Sequence, residues 1–166
     1  EPTPLVIDSF ISLEISCNST NDGWARVLVS GGVDHLPYTY LWNNLMNSTA
    51  DTAGNLGIGW YGVLITDANG CTTFDSVYIP EPLPVTGMFT ILSTQWYNNE
   101  MISCAGAADG AVWVQASGGR QPYTYNWIGT TTSNDTIFGL AAGTHQVRIE
   151  DSGGCDTILS VVLTEP

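Results

Sequence analysis

Four cysteines are the residues of this sequence best suited to covalent chemistry, and they fall two in each half of the chain. Four cysteines allow three pairings. A repeat in the sequence, described below, favours Cys17–Cys71 and Cys104–Cys155, and closing loops of this length would stabilise each half by about 4 kcal/mol. Four buried free thiols are the alternative. A metal site is disfavoured because the sequence has no Cys-x-x-Cys motif or histidine-rich cluster.

Histidine and charge argue against catalysis and against anionic partners. His35 and His145 are the only histidines, and nothing in the sequence supplies either with the nucleophile and orienting acid of a catalytic triad. The net charge is −13, with 3 Lys and Arg against 16 Asp and Glu. No basic patch can therefore bind nucleic acid or an anionic membrane surface. The sequence predicts a protein that is not an enzyme and does not insert into a membrane.

Aromatic residues could bind a ligand by stacking. Two runs with alternate spacing place three rings on one strand face, and these are Tyr38/Tyr40/Trp42 and Tyr123/Tyr125/Trp127. Because both halves carry the run, we expect core packing, with a sugar-stacking platform as the alternative. Aromatic residues without a counterpart in the other half are better candidates for an interaction surface, and these are Trp24, Trp60, Trp96 and Tyr97.

Aspartates are the remaining candidates for binding or modification. Asp22 and Asp109 each precede a glycine, where capping of the turn backbone is the expected role. Calcium binding is the weaker alternative. The sequence suggests no other cofactor. Six of ten aspartates precede Ser or Thr. In four of these the hydroxyl residue is followed by a small or β-branched residue, and the hydroxyl residues are Thr52, Ser76, Thr136 and Thr157. These four sites resemble the O-glycosylation motif of proteins exported by Bacteroidota. The alternative is that Asp-Ser and Asp-Thr begin strands after turns.

The sequence segments that position these residues occur twice along the chain as an internal repeat. Asp67-Ala68-Asn69-Gly70-Cys71 returns as Asp151-Ser152-Gly153-Gly154-Cys155, and Glu-Pro occurs at 1–2, 81–82 and 165–166. The sequence therefore predicts two modules, 1–80 and 81–166, of the kind found in tandem arrays. Pro4 and Pro84 are expected to stiffen the linkers.

Short β-rich runs between turn residues predict an all-β sandwich in each module. In the first strand of repeat 1, Ile11, Leu13 and Ile15 are expected to share one face. The clearest hairpin has strands at 143–150 and 156–163, with His145, Val147 and Ile149 facing inward. The counterparts of these three are Tyr61, Val63 and Ile65 in repeat 1. The segment 95–101 is expected to be an added loop.

These motifs resemble the SprB repeat. The resemblance rests on Cys-x4-Asp-Gly, Gly-Gly-x-x-Pro-Tyr-Thr-Tyr-x-Trp, Gly-Leu-x-x-Gly and Asp-x-x-Gly-Cys, followed by Glu-Pro. Repeat 2 fits best, whereas repeat 1 reads Asn55-Leu56-Gly57-Ile58-Gly59 in place of the Gly-Leu-x-x-Gly run that precedes the fifth strand. The resemblance implies tandem immunoglobulin-like modules in very large surface and secreted proteins of Bacteroidota, exported by the type IX pathway.

The expected function is a structural or adhesive repeat segment of an extracellular protein, with neighbouring repeats of the same chain as its first partners. One alternative is a filament subunit that contacts identical chains in a fibre. Another is a carbohydrate-binding module for surface glycans. The exposure of Trp60 and Trp96 discriminates among these alternatives: rings buried between chains favour the filament, solvent-facing rings favour carbohydrate, and rings buried within a module favour a plain stalk.

Overall fold

The boundary between the two repeats falls at Pro82 in a computed structural model of the chain. The structure describes residues 3–32, 38–43, 48–97 and 99–166. The chain forms two compact units, Glu1–Pro82 and Leu83–Pro166, which we call unit 1 and unit 2. The predicted boundary at residue 80 lies slightly earlier. Three prolines, Pro80, Pro82 and Pro84, lie at the junction, where they end one set of strands before the next begins.

Unit 1 is a sandwich of two three-stranded antiparallel sheets. Its described strands are β1 (Thr3–Leu13), β2 (Gly23–Gly32), β3 (Thr39–Trp42), β4 (Thr52–Leu56), β5 (Gly59–Thr66) and β6 (Thr72–Ile79). One sheet has the order β1-β2-β4 and the other has the order β3-β5-β6. The side chains that point between these sheets alternate with outward ones along each strand, as the pleat of a strand requires.

Unit 2 repeats this arrangement strand for strand. Its described strands are β7 (Thr86–Ile91), β8 (Ala108–Ser117), β9 (Thr124–Trp127), β10 (Thr136–Ala141), β11 (Gly143–Glu150) and β12 (Asp156–Leu163). Its sheets have the orders β10-β8-β7 and β12-β11-β9. The β11–β12 hairpin has the predicted bounds, and Val147 and Ile149 are fully buried. A short 3-10 helix, Ser93–Gln95, opens the predicted added loop of unit 2.

Each core is built around the tryptophan of the repeated aromatic run. Trp42 and Trp127 are 0% and 1% exposed. Each indole N–H donates to a backbone carbonyl at 3.0 Å, that of Ala50 or Asn134. A phenylalanine ring lies 6.2 Å from each indole. The tyrosines of both runs pack against the same cores, so the prediction of core packing is confirmed and these runs form no stacking platform.

The prediction that Ile11, Leu13 and Ile15 share one face is wrong for Ile15. Ile11 and Leu13 are 47% and 53% exposed, whereas Ile15, just past the strand, is fully buried. The cause is a register irregularity between Ile7 and Ser9 in the β1–β2 ladder. An irregularity of this kind exchanges the two faces of a strand. Ile7 packs on the core before it and Phe10 packs there after it.

The Glu-Pro motif closes each unit. The carboxylate of Glu81 accepts a hydrogen bond from the backbone N–H of Ser19 at 3.2 Å. Glu165 accepts one from the N–H of Gly106 at 2.7 Å. Pro4, predicted to stiffen a linker, lies instead within β1. Each Glu therefore belongs to the module that precedes it, which is why the boundary comes after Pro82.

The predicted disulfide within each unit is wrong. Cys71 and Cys104 are exposed free thiols, whereas Cys17 and Cys155 are disulfide-bonded. In unit 1, Cys71 directly precedes β6, while Cys17 lies beyond its other end, where the Ile15 N–H donates to the Pro80 carbonyl. Eight residues of strand span about 23 Å. Disulfide-bonded Cα atoms lie within about 7 Å of each other. The same separation holds for Cys104 and Cys155 along β12 in unit 2.

Candidate functional site

The outer face of the β3-β5-β6 sheet in unit 1 carries exposed aromatic and aliphatic side chains. Trp60 is 68% exposed and Phe74 is 64% exposed, and both are on the β5–β6 hairpin. The register pairs Trp60 with Tyr78, and it pairs Leu64 with Leu41 on one side and with Phe74 on the other. We call this surface the outer aromatic face and define it by Leu41, Trp60, Leu64, Phe74 and Tyr78.

Strand alternation explains why these residues face outward. Val63 and Ile65 are fully buried in the core, so the residues between and around them must point to solvent. In most two-sided sheets the outward positions are polar. Here large apolar side chains also stand at outward positions of β5 and β6, where they are 38–68% exposed. Contiguous exposed apolar surface of this kind marks interaction sites in soluble proteins.

The rings of the outer aromatic face have a defined geometry. Trp60 and Tyr78 have ring centroids 5.3 Å apart with planes tilted by 51°. The Phe74 ring lies over Gly62, where an added Cβ would come within 2.7 Å of it. A groove of about 430 Å³ runs beside Phe74. Asn43 lines this groove, and its side-chain oxygen accepts a hydrogen bond from the Gly62 N–H at 2.8 Å.

The outer aromatic face is electrically neutral. The outward positions of its three described strands contain no Asp, Glu, His, Lys or Arg, and they are Thr39, Leu41, Trp60, Gly62, Leu64, Thr66, Thr72, Phe74, Ser76 and Tyr78. A protein with a net charge of −13 therefore presents one sheet face without a carboxylate. The chemistry of this face is stacking and burial of apolar surface, with hydroxyl and amide groups at its edges.

The equivalent face of unit 2 has different chemistry. Arg148 occupies the position of Leu64 and forms an ion pair with Asp156 at 2.8 Å. Gln146 occupies the position of Gly62 and donates a hydrogen bond to Ser160 at 3.1 Å. Thr144 stands where unit 1 has Trp60. Unit 2 therefore keeps the same sheet but covers it mainly with polar groups.

The four predicted interaction residues lie in three separate elements of the two units. Trp60 lies on the outer aromatic face, whereas Trp24 is half-buried on β2, in the other sheet of unit 1, opposite Leu13. Trp96 and Tyr97 are in the added loop of unit 2, with ring centroids 6.4 Å apart. Sequence reasoning missed Leu41, Leu64, Phe74 and Tyr78. The signal for the last three is a hairpin that carries large apolar side chains at several outward positions, where the matching hairpin of unit 2 has more polar residues.

The two calcium candidates serve as turn caps. Asp22 accepts hydrogen bonds from the Ser16 N–H and the Thr20 hydroxyl, both at 2.9 Å. Hydrogen bonds from Ser16, then from Thr20, lower the pKa of Asp22 to about 2. Ser103 does the same for Asp109, whose pKa is also lowered. Among the residues that the structure describes, no three His, Cys, Asp or Glu side chains gather as a metal site would need.

A second pair of aspartates organises the hairpin loops. The carboxylate of Asp151 is buried and accepts hydrogen bonds from the backbone N–H groups of Arg120, Gly153 and Cys155 at 2.8–2.9 Å. Burial raises the pKa of Asp151, but these backbone donors outweigh it, so the pKa is lowered. Asp67 accepts from Asn69 and Cys71 in the same way. These aspartates are structural caps.

The predicted glycosylation acceptors are all half-buried. The hydroxyl groups of Thr52 and Thr136 each donate to the carboxylate of the preceding aspartate at 2.9 Å. Ser76 lies between Phe74 and Tyr78 on the outward side of β6. Glycosylation at these positions, with Thr157, stays a prediction.

The fold is that of two tandem immunoglobulin-like β-sandwiches. The SprB repeat family matches the chain twice, at residues 10–47 and 102–132. One match falls in each unit, so the resemblance predicted from the motifs is confirmed. SprB repeats are cell-surface, adhesin-type repeats. No curated protein sequence matches the chain.

Several solved structures are similar in fold. A 282-residue C-terminal fragment of intimin, solved in complex with the intimin-binding domain of its translocated receptor, is 15% identical with a TM-score of 0.45. The match covers 95% of this chain and 64% of that fragment. The fibronectin(III)-like modules of Clostridium thermocellum CbhA are 15% identical, with a TM-score of 0.38 and coverage of 98% and 94%. Murine CEACAM1b is 13% identical, with a TM-score of 0.31 and coverage of 90% and 95%.

A search of the described residues for a helix long and apolar enough to span a membrane finds none.

Proposed function

We propose that this chain is a structural and adhesive repeat segment of a large extracellular surface protein, which acts by spacing and multivalent contact rather than by catalysis. The observation that carries the proposal is that the two units share one framework but differ on one outer face. A framework that repeats provides reach, and a face that varies between repeats provides contact.

The shared framework supports the spacing role. The same buried tryptophan, the same Asp-capped hairpin loop and the same closing glutamate occur in both units. These features keep both ends of a module fixed while its outer faces are free to change. The strongly acidic charge and the absence of lysine suit a protein whose contacts are not electrostatic.

We further propose neutral polysaccharide as the partner of the outer aromatic face. Trp60 faces solvent, and aromatic rings next to hydroxyl and amide groups are suited to the apolar faces and hydroxyl groups of sugar rings. The lack of charge on this face favours an uncharged polymer over an anionic one. Because Trp60 and Phe74 lie on strands, the stacking surface is rigid before the ligand arrives.

The location is tested by labelling intact cells of the source with antibodies against this segment. Labelling at the outside of the cell supports the proposal, and it should be lost after brief treatment of the cells with protease. Labelling only after the cells are permeabilised would contradict it. Antibodies absorbed with the purified chain are the control for specificity.

The contact face is tested by replacing three of its residues with those that unit 2 carries. A variant with Trp60→Thr, Leu64→Arg and Phe74→Ile should bind insoluble neutral polysaccharide about tenfold less tightly or worse, because burial of one large side chain is worth about 1.5–3 kcal/mol. The matched control is Ile158→Ser with Val162→Ser, which removes the exposed apolar residues of the unit 2 face. Equal loss in both variants would contradict the proposal.

Self-association is the competing use of the same face. Sedimentation of the wild-type chain should show a monomer under reducing conditions. A concentration-dependent dimer that the three replacements abolish would instead favour the filament alternative and overturn the polysaccharide proposal.

A further inference from the structure

The groove in the outer aromatic face combines apolar walls with one polar side chain. It has a volume of about 430 Å³ and is lined by Leu41, Trp42, Asn43, Gly62, Leu64 and Phe74. The indole N–H of Trp42 already donates to the Ala50 carbonyl at 3.0 Å. Among these lining residues, Asn43 is therefore the side chain that can offer a polar group to a ligand.

Two backbone contacts fix the orientation of the Asn43 amide. The backbone N–H of Asn43 donates to the Gly62 carbonyl at 3.0 Å, and the Gly62 N–H donates to the Asn43 side-chain oxygen at 2.8 Å. Because the side-chain oxygen must face that N–H, the NH₂ group is the end that is left over. A Cβ added to Gly62 would lie 3.6 Å from this nitrogen, so the NH₂ group stands on the outward side of β5. Within the described part of the chain, the NH₂ group has no hydrogen-bond acceptor.

Glycine at position 62 supplies the space between the Asn43 amide and the Phe74 ring. The backbone of Gly62 is ordinary β-strand, so glycine is not needed here for its conformation. The nearest carbon of the Phe74 ring would lie 2.7 Å from an added Cβ, which is closer than a real side chain allows. An aromatic ring and a hydrogen-bond donor thus flank a space that any larger residue at position 62 would fill.

Unit 2 shows that the fold does not require this arrangement. Ile128 and Gln146 stand where unit 1 has Asn43 and Gly62, and the Ile128 N–H still donates to the Gln146 carbonyl at 2.9 Å. The same pair of strands therefore forms without the amide and with a side chain in place of the glycine. The Asn43 amide and the space above Gly62 are free to serve a ligand.

We propose, as a refinement of the polysaccharide binding proposed above, that this groove binds the acetamido group of a neutral polymer of N-acetylated amino sugars. The Asn43 NH₂ group donates to the acetamido carbonyl, and the acetamido methyl group packs against Phe74 and Leu64. An acetamido group matches the groove because it pairs one acceptor with one apolar group and carries no charge. A sugar hydroxyl at the same position would leave the apolar walls uncovered. Trp60, two residues away along β5 and thus at about 7 Å, stacks on the neighbouring part of the polymer.

Two uncharged oligosaccharides that differ in one substituent test this proposal. A chito-oligosaccharide carries acetamido groups where a cello-oligosaccharide of equal length carries hydroxyl groups. The wild-type chain should bind the chito-oligosaccharide about tenfold more tightly in calorimetric titrations, because one hydrogen bond and one buried methyl group together are worth about that factor. Intermolecular nuclear Overhauser effects should connect the acetyl methyl protons with the ring protons of Phe74.

Two variants remove the two parts of the site separately. Asn43→Asp keeps an oxygen for the Gly62 N–H and loses the NH₂ donor, and Gly62→Ala fills the space beside Phe74. Each should bring the ratio of the two affinities close to one. Because the ratio compares two ligands on one protein, partial loss of folded protein does not alter it. The matched control is Gln146→Ala, which places the same residue at the equivalent position of unit 2 and should keep the wild-type ratio.

The possible failures are distinguishable. Equal affinity of the wild-type chain for the two oligosaccharides would overturn the acetamido proposal and leave polysaccharide binding standing. A chain that binds neither oligosaccharide would overturn both proposals. A preference for the chito-oligosaccharide that persists in both Asn43→Asp and Gly62→Ala would place the acetamido group elsewhere and overturn this site, as would Overhauser effects from the acetyl methyl protons to unit 2 alone.

Discussion

Units 1 and 2 have the same strands, but the side chains on the outer face of the equivalent sheet differ in chemistry. In unit 1 the β3-β5-β6 sheet presents Trp60 and Phe74 to solvent, and in unit 2 the same positions carry Thr144 and Ile158. Inward positions hardly differ, since Val63 and Val147 are both fully buried. The comparison shows where a repeat can change: the core and the loop ends keep the fold, and the outward positions are available for function.

The largest expected effects test whether the two frameworks are equal. Trp42→Ala in unit 1 and Trp127→Ala in unit 2 should each lower the free energy of unfolding of their own unit by about 3–5 kcal/mol, because each removes a fully buried indole and leaves a cavity. Calorimetry of the two variants measures this. A loss in one unit that is several-fold smaller than in the other would break the equivalence.

Removing a loop cap should cost less. Asp151→Ala and Asp67→Ala should each destabilise their own unit by about 1–3 kcal/mol, because each removes the oxygen that accepts the backbone N–H groups of its loop. Chemical denaturation with a fluorescence readout for each unit checks the values. Because unit 2 loses the cap in one variant and unit 1 in the other, each variant is the control for its partner. No change in either would show that the loops are held by other contacts.

Acid should weaken the turn of unit 1 that Asp22 caps. Its pKa is lowered to about 2 by Ser16 and Thr20. A carboxyl whose pKa is lower in the folded state contributes stability above its unfolded pKa of about 3.9, and this is lost as the pH falls towards 2. Between these values the unfolding temperature of unit 1 should fall less steeply in Asp22→Asn than in the wild type. Parallel curves would contradict this role.

The smallest effect is expected on the outer face of unit 2. Arg148→Leu introduces the residue that unit 1 carries at this position, Leu64, and removes the ion pair with Asp156. The side chains of Arg148 and Asp156 are 46% and 39% exposed. Exposed ion pairs contribute little, so the unfolding temperature should hardly change. The pKa of Asp156, lowered by the hydrogen bond and charge of Arg148, should rise to its usual range when measured by NMR. A large loss of stability would show that this face is part of the framework.

Sequence reasoning identified the framework better than the functional face. Periodicity placed the β11–β12 hairpin correctly because Val147 and Ile149 alternate with polar residues. It failed on β1 because a register irregularity near Ile7 exchanges the two faces, and no residue type marks that position. It missed Phe74 because apolar residues on both sides of a strand are also typical of a buried strand.

The disulfide prediction failed for a different reason. Repeat symmetry shows that Cys17 corresponds to Cys104 and Cys71 to Cys155, but it carries no information about which end of a sandwich each occupies. Only the strands between them give that distance. A strand of eight residues separates the two cysteines of a unit by more than a disulfide can span.

The most direct test of the outer aromatic face is fluorine NMR of the chain labelled with fluorotryptophan. The Trp60 resonance is assigned with Trp60→Phe, and a soluble neutral oligosaccharide is then added. The account predicts that the Trp60 signal shifts in a saturable manner, while the signals of Trp113 in unit 2 and of buried Trp42 stay in place. A shift at Trp96 or Trp24 with Trp60 unmoved would contradict it.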